Sequence, residues 1–104
     1  MNRIDQLKIF LKDQPNDAFL KHALALEYVK INDDEAAQLL FEENKKEQPE
    51  YVATYYHLGQ LLIRNNQTEA AIQVWEEGMK WAKHQKDDHS YRELRSIHEE
   101  WTFD

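Results

Sequence analysis

Apolar positions return along this chain at the spacing of helices. Tyr55, Leu58, Gly59 and Leu62 fall at i, i+3, i+4 and i+7, one face of a helix. Tyr91, Leu94, Ile97/His98 and Trp101 form a second such stripe, and Ser90 with Glu93 has the spacing of a capping box ahead of it. The segments "NDD" (Asn32 to Asp34) and "NNQT" (Asn65 to Thr68) interrupt the apolar pattern with residues that favour turns and N-caps. The pattern predicts six helices, over residues 2–13, 17–31, 34–47, 51–65, 68–85 and 88–101.

The chain also repeats itself. Its only two prolines, Pro15 and Pro49, lie 34 residues apart in "QPNDAF" and "EQPEYV". The same shift aligns Leu24 with Leu58, Asn32 with Asn66, Glu35-Ala36-Ala37 with Glu69-Ala70-Ala71, and Glu42-Glu43 with Glu76-Glu77. Similar residues follow the same register: Ala25 with Gly59, Val29 with Ile63, Lys30 with Arg64 and Phe41 with Trp75. A period of this length is the signature of a repeat architecture, and each unit here is a helical hairpin.

With the pattern W-x2-L-G-x2-Y, then A-x3-F, then P, the 34-residue period resembles the tetratricopeptide repeat. Tyr55, Leu58-Gly59, Leu62, Ala71 and Trp75 carry the resemblance in one unit; Leu24-Ala25, Tyr28, Ala37, Phe41 and Pro49 carry it in the other. It implies an all-α fold, a short right-handed α-α superhelix of antiparallel helix hairpins, in one domain. Residues 1–16 would form an N-terminal helix, 17–50 and 51–85 the two repeats, and 86–104 a capping helix and tail. Leu7, in register with Phe41, gives the N-terminal helix the phase of the second helix of a degenerate preceding repeat.

Two positions depart from the pattern. Lys21 replaces the large aromatic of the first repeat, which suggests a looser outer edge there. Lys83 replaces the closing proline of the second, which predicts that the fifth helix runs on past the usual repeat end. Gly59 is expected where two helices cross closely, letting Ala71 and Trp75 approach, because a helical glycine otherwise costs about 1 kcal/mol relative to alanine.

Composition narrows the function. A chain of 104 residues can bury about 65% of the surface its unfolded form exposes. Two glycines, two prolines and a charged fraction of 32% suit helices better than hairpins of strands. A formal net charge of -7 opposes a phosphate backbone or an anionic membrane, so neither nucleic acid nor membrane is an expected partner. The absence of cysteine excludes disulfides, thiolate nucleophiles and Cys-based zinc sites. Arg3, Asp5 and Lys8 interrupt any leader-like apolar core, no run approaches a membrane span, and the expected location is cytoplasmic.

No cofactor or metal is expected. His22, His57, His84, His89 and His98 make no i, i+4 pair on one helical face, and Ser90 and Ser96 lie in no nucleophile elbow. Adjacent carboxylates such as Glu42-Glu43, Glu76-Glu77 and Glu99-Glu100 point about 100° apart on a helix and read as a solvated outer face. The chain is therefore read as a non-enzyme.

A second stripe, Tyr56, Gln60 and Ile63, is left over from the core face of its helix. In the family that the chain resembles, the first helix of each repeat lines a concave surface that receives a peptide. Carried over, that surface would consist of Phe19, His22, Leu26, Val29, Lys30, Tyr56, Gln60, Ile63 and Arg64. The other reading of its apolar members is that the last helix covers them through Tyr91, Leu94 and Trp101. Some tetratricopeptide domains grip the C-terminal carboxylate of a chaperone with Lys and Asn; His22, Leu26 and His57 at the corresponding positions leave that clamp incomplete. The expected function is a protein-protein interaction module. Self-association, suggested by Trp101 and Phe103, is the alternative, and a small metal-binding protein a remote one.

Overall fold

Short connections between helices govern the architecture. In the computed structural model, which describes residues 2–103, the chain forms α1 (Arg3–Asp13), α2 (Ala18–Lys30), α3 (Asp34–Glu47), α4 (Ala53–Arg64), α5 (Thr68–His84) and α6 (Asp88–Thr102). It divides into two compact units, one ending at Gln48 and one beginning at Pro49. In the first, α2 packs against both α1 and α3; in the second, α5 packs against α4 and α6, and α4 also touches α6. The fold is all-α and built of helical hairpins, as the repeat predicts. No described helix is long and apolar enough to cross a membrane.

The turns explain the helix ends. Asn32 and Asn66 adopt left-handed backbone (φ 62° and 64°), and so does Lys86 (φ 60°). Each follows a helix in a Schellman arrangement: the N–H groups of Asp33, Gln67 and Asp87 donate to the carbonyls of Tyr28, Leu62 and Ala82, at 2.9, 2.8 and 2.9 Å. Asparagine tolerates this conformation better than most residues, so its recurrence at the 34-residue period is a structural requirement. Asp17 and Asp33 then cap the following helices by accepting from the N–H groups of Leu20 and Ala36. The expected Ser90–Glu93 capping box does not form. Asp87 is the cap of α6, its carboxylate accepting from the Ser90 N–H at 3.1 Å, which places Ser90 inside the first turn.

Within the second unit, α4 and α5 interlock through their glycines. A β-carbon at Gly59 would stand 2.0 Å from Trp75 Nε1, and one at Gly78 would stand 2.5 Å from Tyr55 Cβ. Each helix therefore supplies one ring and one gap for the other's ring. Tyr55 is 1% exposed and Trp75 0%. The expected approach at Gly59 is present, with Trp75 as the group that fills it, and Gly78 is a second socket. Leu58, Leu62 and Ala71 complete this core.

The first unit answers the same requirement with other residues. Ala25 and Phe41, at the positions of Gly59 and Trp75, are both fully buried. At the position of Tyr55, Lys21 corrects the expectation of a loose edge. It is only 3% exposed, and its ammonium lies 2.8 Å from Glu43 Oε1 and 3.0 Å from Glu47 Oε2. Glu43 keeps its place on the solvated outer face, at 46% exposure, while one of its oxygens pairs with the ammonium. Burial alone would lower the Lys21 pKa, but the hydrogen bonds and charges of the two carboxylates outweigh it and raise the value above the ordinary 10.5. Asn44, opposite in register to Gly78, is fully buried and donates to the Ala18 carbonyl at 3.0 Å. Leu7 of α1, also buried, closes the other side of α2's unit.

The remaining departure behaves as expected. Without a proline at position 83, α5 runs to His84, 17 residues against 14 in α3.

Gly59→Ala gains about 1 kcal/mol of helix propensity but overpacks the Trp75 ring, and we expect a net loss of about 1 to 2 kcal/mol in urea unfolding. Adding Trp75→Phe recreates the Ala25–Phe41 combination of the first unit. The double variant should recover part of that loss, and strict additivity in the cycle would refute the proposed contact.

A second outcome concerns alkaline pH. Burial, then the charges of Glu77 and Glu50, push the Tyr55 phenol up to about 12 from 10.0. The unfolded chain ionises first, so stability falls as pH rises from 10 through about 12. The raised Lys21 pKa acts in the same direction, its contribution being full below 10.5 and lost as pH rises through the folded value. Tyr55→Phe should flatten this decline and Lys21→Met should remove a further part; melting curves between pH 8 and about 12 check both.

Candidate functional site

The nine residues of the expected binding surface divide between α2 and α4. On α2, Phe19 is 60% exposed, while Leu26 and Val29 are partly exposed. His22 does not reach outward as its register suggests. It is 7% exposed, with its ring centroid 5.7 Å from that of Phe41, so α2–α3 packing has claimed it. Lys30 extends into solvent and pairs with Glu27 of its own helix at 2.9 Å. An i, i+3 pair this exposed contributes little to stability.

On α4, the core stripe and the spare stripe separate as the helical period demands. Tyr55, Leu58, Gly59 and Leu62 are buried, Tyr56 and Ile63 are partly exposed, and Gln60 and Arg64 are exposed. Tyr56, Gln60 and Ile63 are brought together along one side of α4, where α6 forms a facing wall. Three clefts run along this seam, and Tyr56 lines all of them.

The central cleft, of about 380 Å³, places Tyr56 opposite Arg92, Glu93, Ser96, Ile97 and Glu100. Towards the end of α4, a cleft of about 270 Å³ sets Tyr56, Gln60 and Ile63 against Ile97, Glu100 and Trp101, with Trp75 also contributing. Towards its start, a third of about 250 Å³ sets Val52, Ala53, Tyr56 and His57 against Ser90 and Glu93. Burial lowers the His57 pKa from 6.5, an effect only opposed by the Glu93 charge, so this imidazole is neutral at pH 7.

The last helix is thus a wall of the seam. Of its expected covering residues, Leu94 is buried, at 1% exposure, and Trp101 lines a cleft at 44% exposure. Tyr91 lies elsewhere, in a cleft of about 400 Å³ between α5 and α6 with Met79, Lys80 and Lys83, where His98 Nε2 meets Glu76 Oε2 at 2.9 Å. The carboxylates at 99 and 100 also take separate roles, Glu99 pairing with Arg95 at 2.9 Å and Glu100 lining the seam.

Sequence reasoning missed Glu93, Ile97 and Glu100 as site residues, although a signal was present. Tyr55, Leu58 and Leu61 recur as Tyr91, Leu94 and Ile97 at a shift of 36, two more than the repeat period. The matching burial of Leu58 and Leu94, at 0% and 1%, gives α6 the part of a further first helix. The lengthened α5 displaces that helix from the 34-residue register.

Solved structures share this arrangement of helices. A tetratricopeptide repeat domain protein from Salinibacter ruber, determined by solution NMR, matches with a TM-score of 0.81 and 35% sequence identity, covering 85% of this chain and 89% of its own. A crystal structure of a tetratricopeptide repeat domain protein from the same organism matches with a TM-score of 0.78 and 35% identity, covering 82% and 94% respectively. A protein from Bordetella parapertussis has the same fold at 21% identity, with a TM-score of 0.81 over 97% of this chain and 88% of its own. Neither a family model nor a curated protein matches the sequence.

Proposed function

The chain belongs to the tetratricopeptide repeat family, and from this premise we propose that it is a non-catalytic protein-protein interaction module that holds a partner segment along the α4–α6 seam. The observation that carries this reading is Tyr56. It is the one large aromatic of α4 kept out of the core, and three adjoining clefts open onto it. Aromatic anchors between apolar walls supply most of the energy in recognition surfaces of this kind. Ile63 and Ile97 add apolar contact, and Gln60 adds a hydrogen-bonding end. On α4, Arg64 adds a polar contact; in the other unit, Phe19, Leu26 and Val29 of α2 offer an apolar face of their own, with Lys30 as its polar contact.

Tyr56→Ala and Ile63→Asp should each abolish capture of partners from a lysate while leaving the circular dichroism melt nearly unchanged. Capture that survives both variants would overturn the reading, and a collapsed melt would assign the stripe to the core.

One observation favours self-association as a second reading: Trp101 and Phe103 are 44% and 85% exposed. Light scattering should then show a mass that rises with concentration and that falls back in Trp101→Ser/Phe103→Ser. A constant monomer mass removes it.

A further inference from the structure

Two of the three clefts on the seam have the same construction. In the cleft at the start of α4, Glu93 is the only lining residue charged at neutral pH, because His57 is held neutral by burial. In the cleft at the end of α4, Glu100 is the only charged lining residue. Around each carboxylate stand apolar or aromatic side chains with a few polar ones: Val52, Tyr56 and Leu94 with His57 and Ser90 in one cleft, Tyr56, Ile63 and Trp101 with Gln60 in the other. A cleft with aromatic and aliphatic walls and one carboxylate in its lining suits a long basic side chain, whose methylene stem packs on the walls while its head meets the charge. Tyr56, common to both slots, also presents a ring face to a cation.

The spacing is informative. Glu93 and Glu100 are seven residues apart on α6, which is about 10 Å along a helix. Three residues of polyproline II chain, one full turn that returns side chains i and i+3 to the same face, span about 9 Å. Between the slots, the central cleft contains Arg92 as well as both carboxylates, together with His89, which lies 3.6 Å from Glu93. Arg92 repels a third cation there.

We propose that the occupant of the seam is an extended segment of polyproline II form with two basic residues three positions apart and uncharged residues between them. This deepens the interaction-module reading and rests on it. The net charge of -7 works in the same direction, steering basic partners towards the protein. It also makes the association sensitive to salt.

The test uses the full chain and fluorescein-labelled decapeptides of neutral background carrying two arginines at spacings of two, three, four or six. A citrulline version of the spacing-three peptide removes charge while keeping shape. We expect the spacing-three peptide to bind best and the citrulline version to bind about tenfold more weakly. Glu93→Gln and Glu100→Gln should each cost about threefold, as expected of partly exposed ion pairs, and together about tenfold. Arg92→Gln should strengthen binding. These variants lie on the surface, and circular dichroism checks that they fold.

Equal binding of arginine and citrulline peptides, absence of any spacing preference, or no binding of these peptides would overturn the proposal. The underlying reading fails separately: if Tyr56→Ala and Ile63→Asp leave lysate capture unchanged, the seam is not the binding face. If those variants abolish capture while Glu93→Gln/Glu100→Gln preserves it, the module stands and the basic occupant falls.

Discussion

The reciprocal fit of ring and glycine between α4 and α5 is the constraint on which the second unit depends. Tyr55 on α4 fills the space beside Gly78, and Trp75 on α5 fills the space beside Gly59. Two helices can approach this closely only if each surrenders a side chain where the other is largest. The fit also reaches the proposed binding face. The Trp75 indole N–H donates to the backbone carbonyl of Tyr56 at 3.3 Å, and the same ring contributes to the cleft holding Gln60 and Ile63. A single buried side chain therefore sets both the packing of the hairpin and part of the lining of the α4–α6 seam.

The first unit shows that the constraint can be met in another way. With alanine at position 25, the facing ring is the smaller phenylalanine of Phe41. With Lys21 in place of the aromatic, its partners are Glu43, which the second unit also has as Glu77, and Glu47, which stands where the second unit has Trp81, and Asn44 replaces the glycine. A buried ammonium is tolerable only when its charge is answered, and two carboxylates within 3.0 Å answer it. The two units thus keep the same close packing of paired helices while exchanging the residues that provide it.

The proposed functional face follows from what the core leaves over. Helical periodicity places Tyr56, Gln60 and Ile63 about 100° from the core stripe, and α6 turns that spare stripe into the side of a seam. The charges on the seam come from α6, whose Glu93 and Glu100 face an α4 wall with no acidic residue of its own. Aromatic contact and charge are therefore supplied by different helices, and neither helix alone forms the site.

Local features were legible in the sequence by itself. The 34-residue shift, the turn asparagines and the apolar spacing determined six helices in hairpins, because caps and helix faces depend on residues within a few positions of one another. The core role of Leu58 and Leu62 and the spare role of Tyr56 came from the same periodicity. What only the tertiary structure decided involves residues far apart in the chain. Lys21 meets Glu43 and Glu47 from another helix, His22 is drawn against Phe41, and Gly78 receives Tyr55. The seam belongs to this second class. A longer α5 and a shorter connection after it carry α6 out of the repeat register, so which of its side chains face Tyr56 depends on how the helices pack.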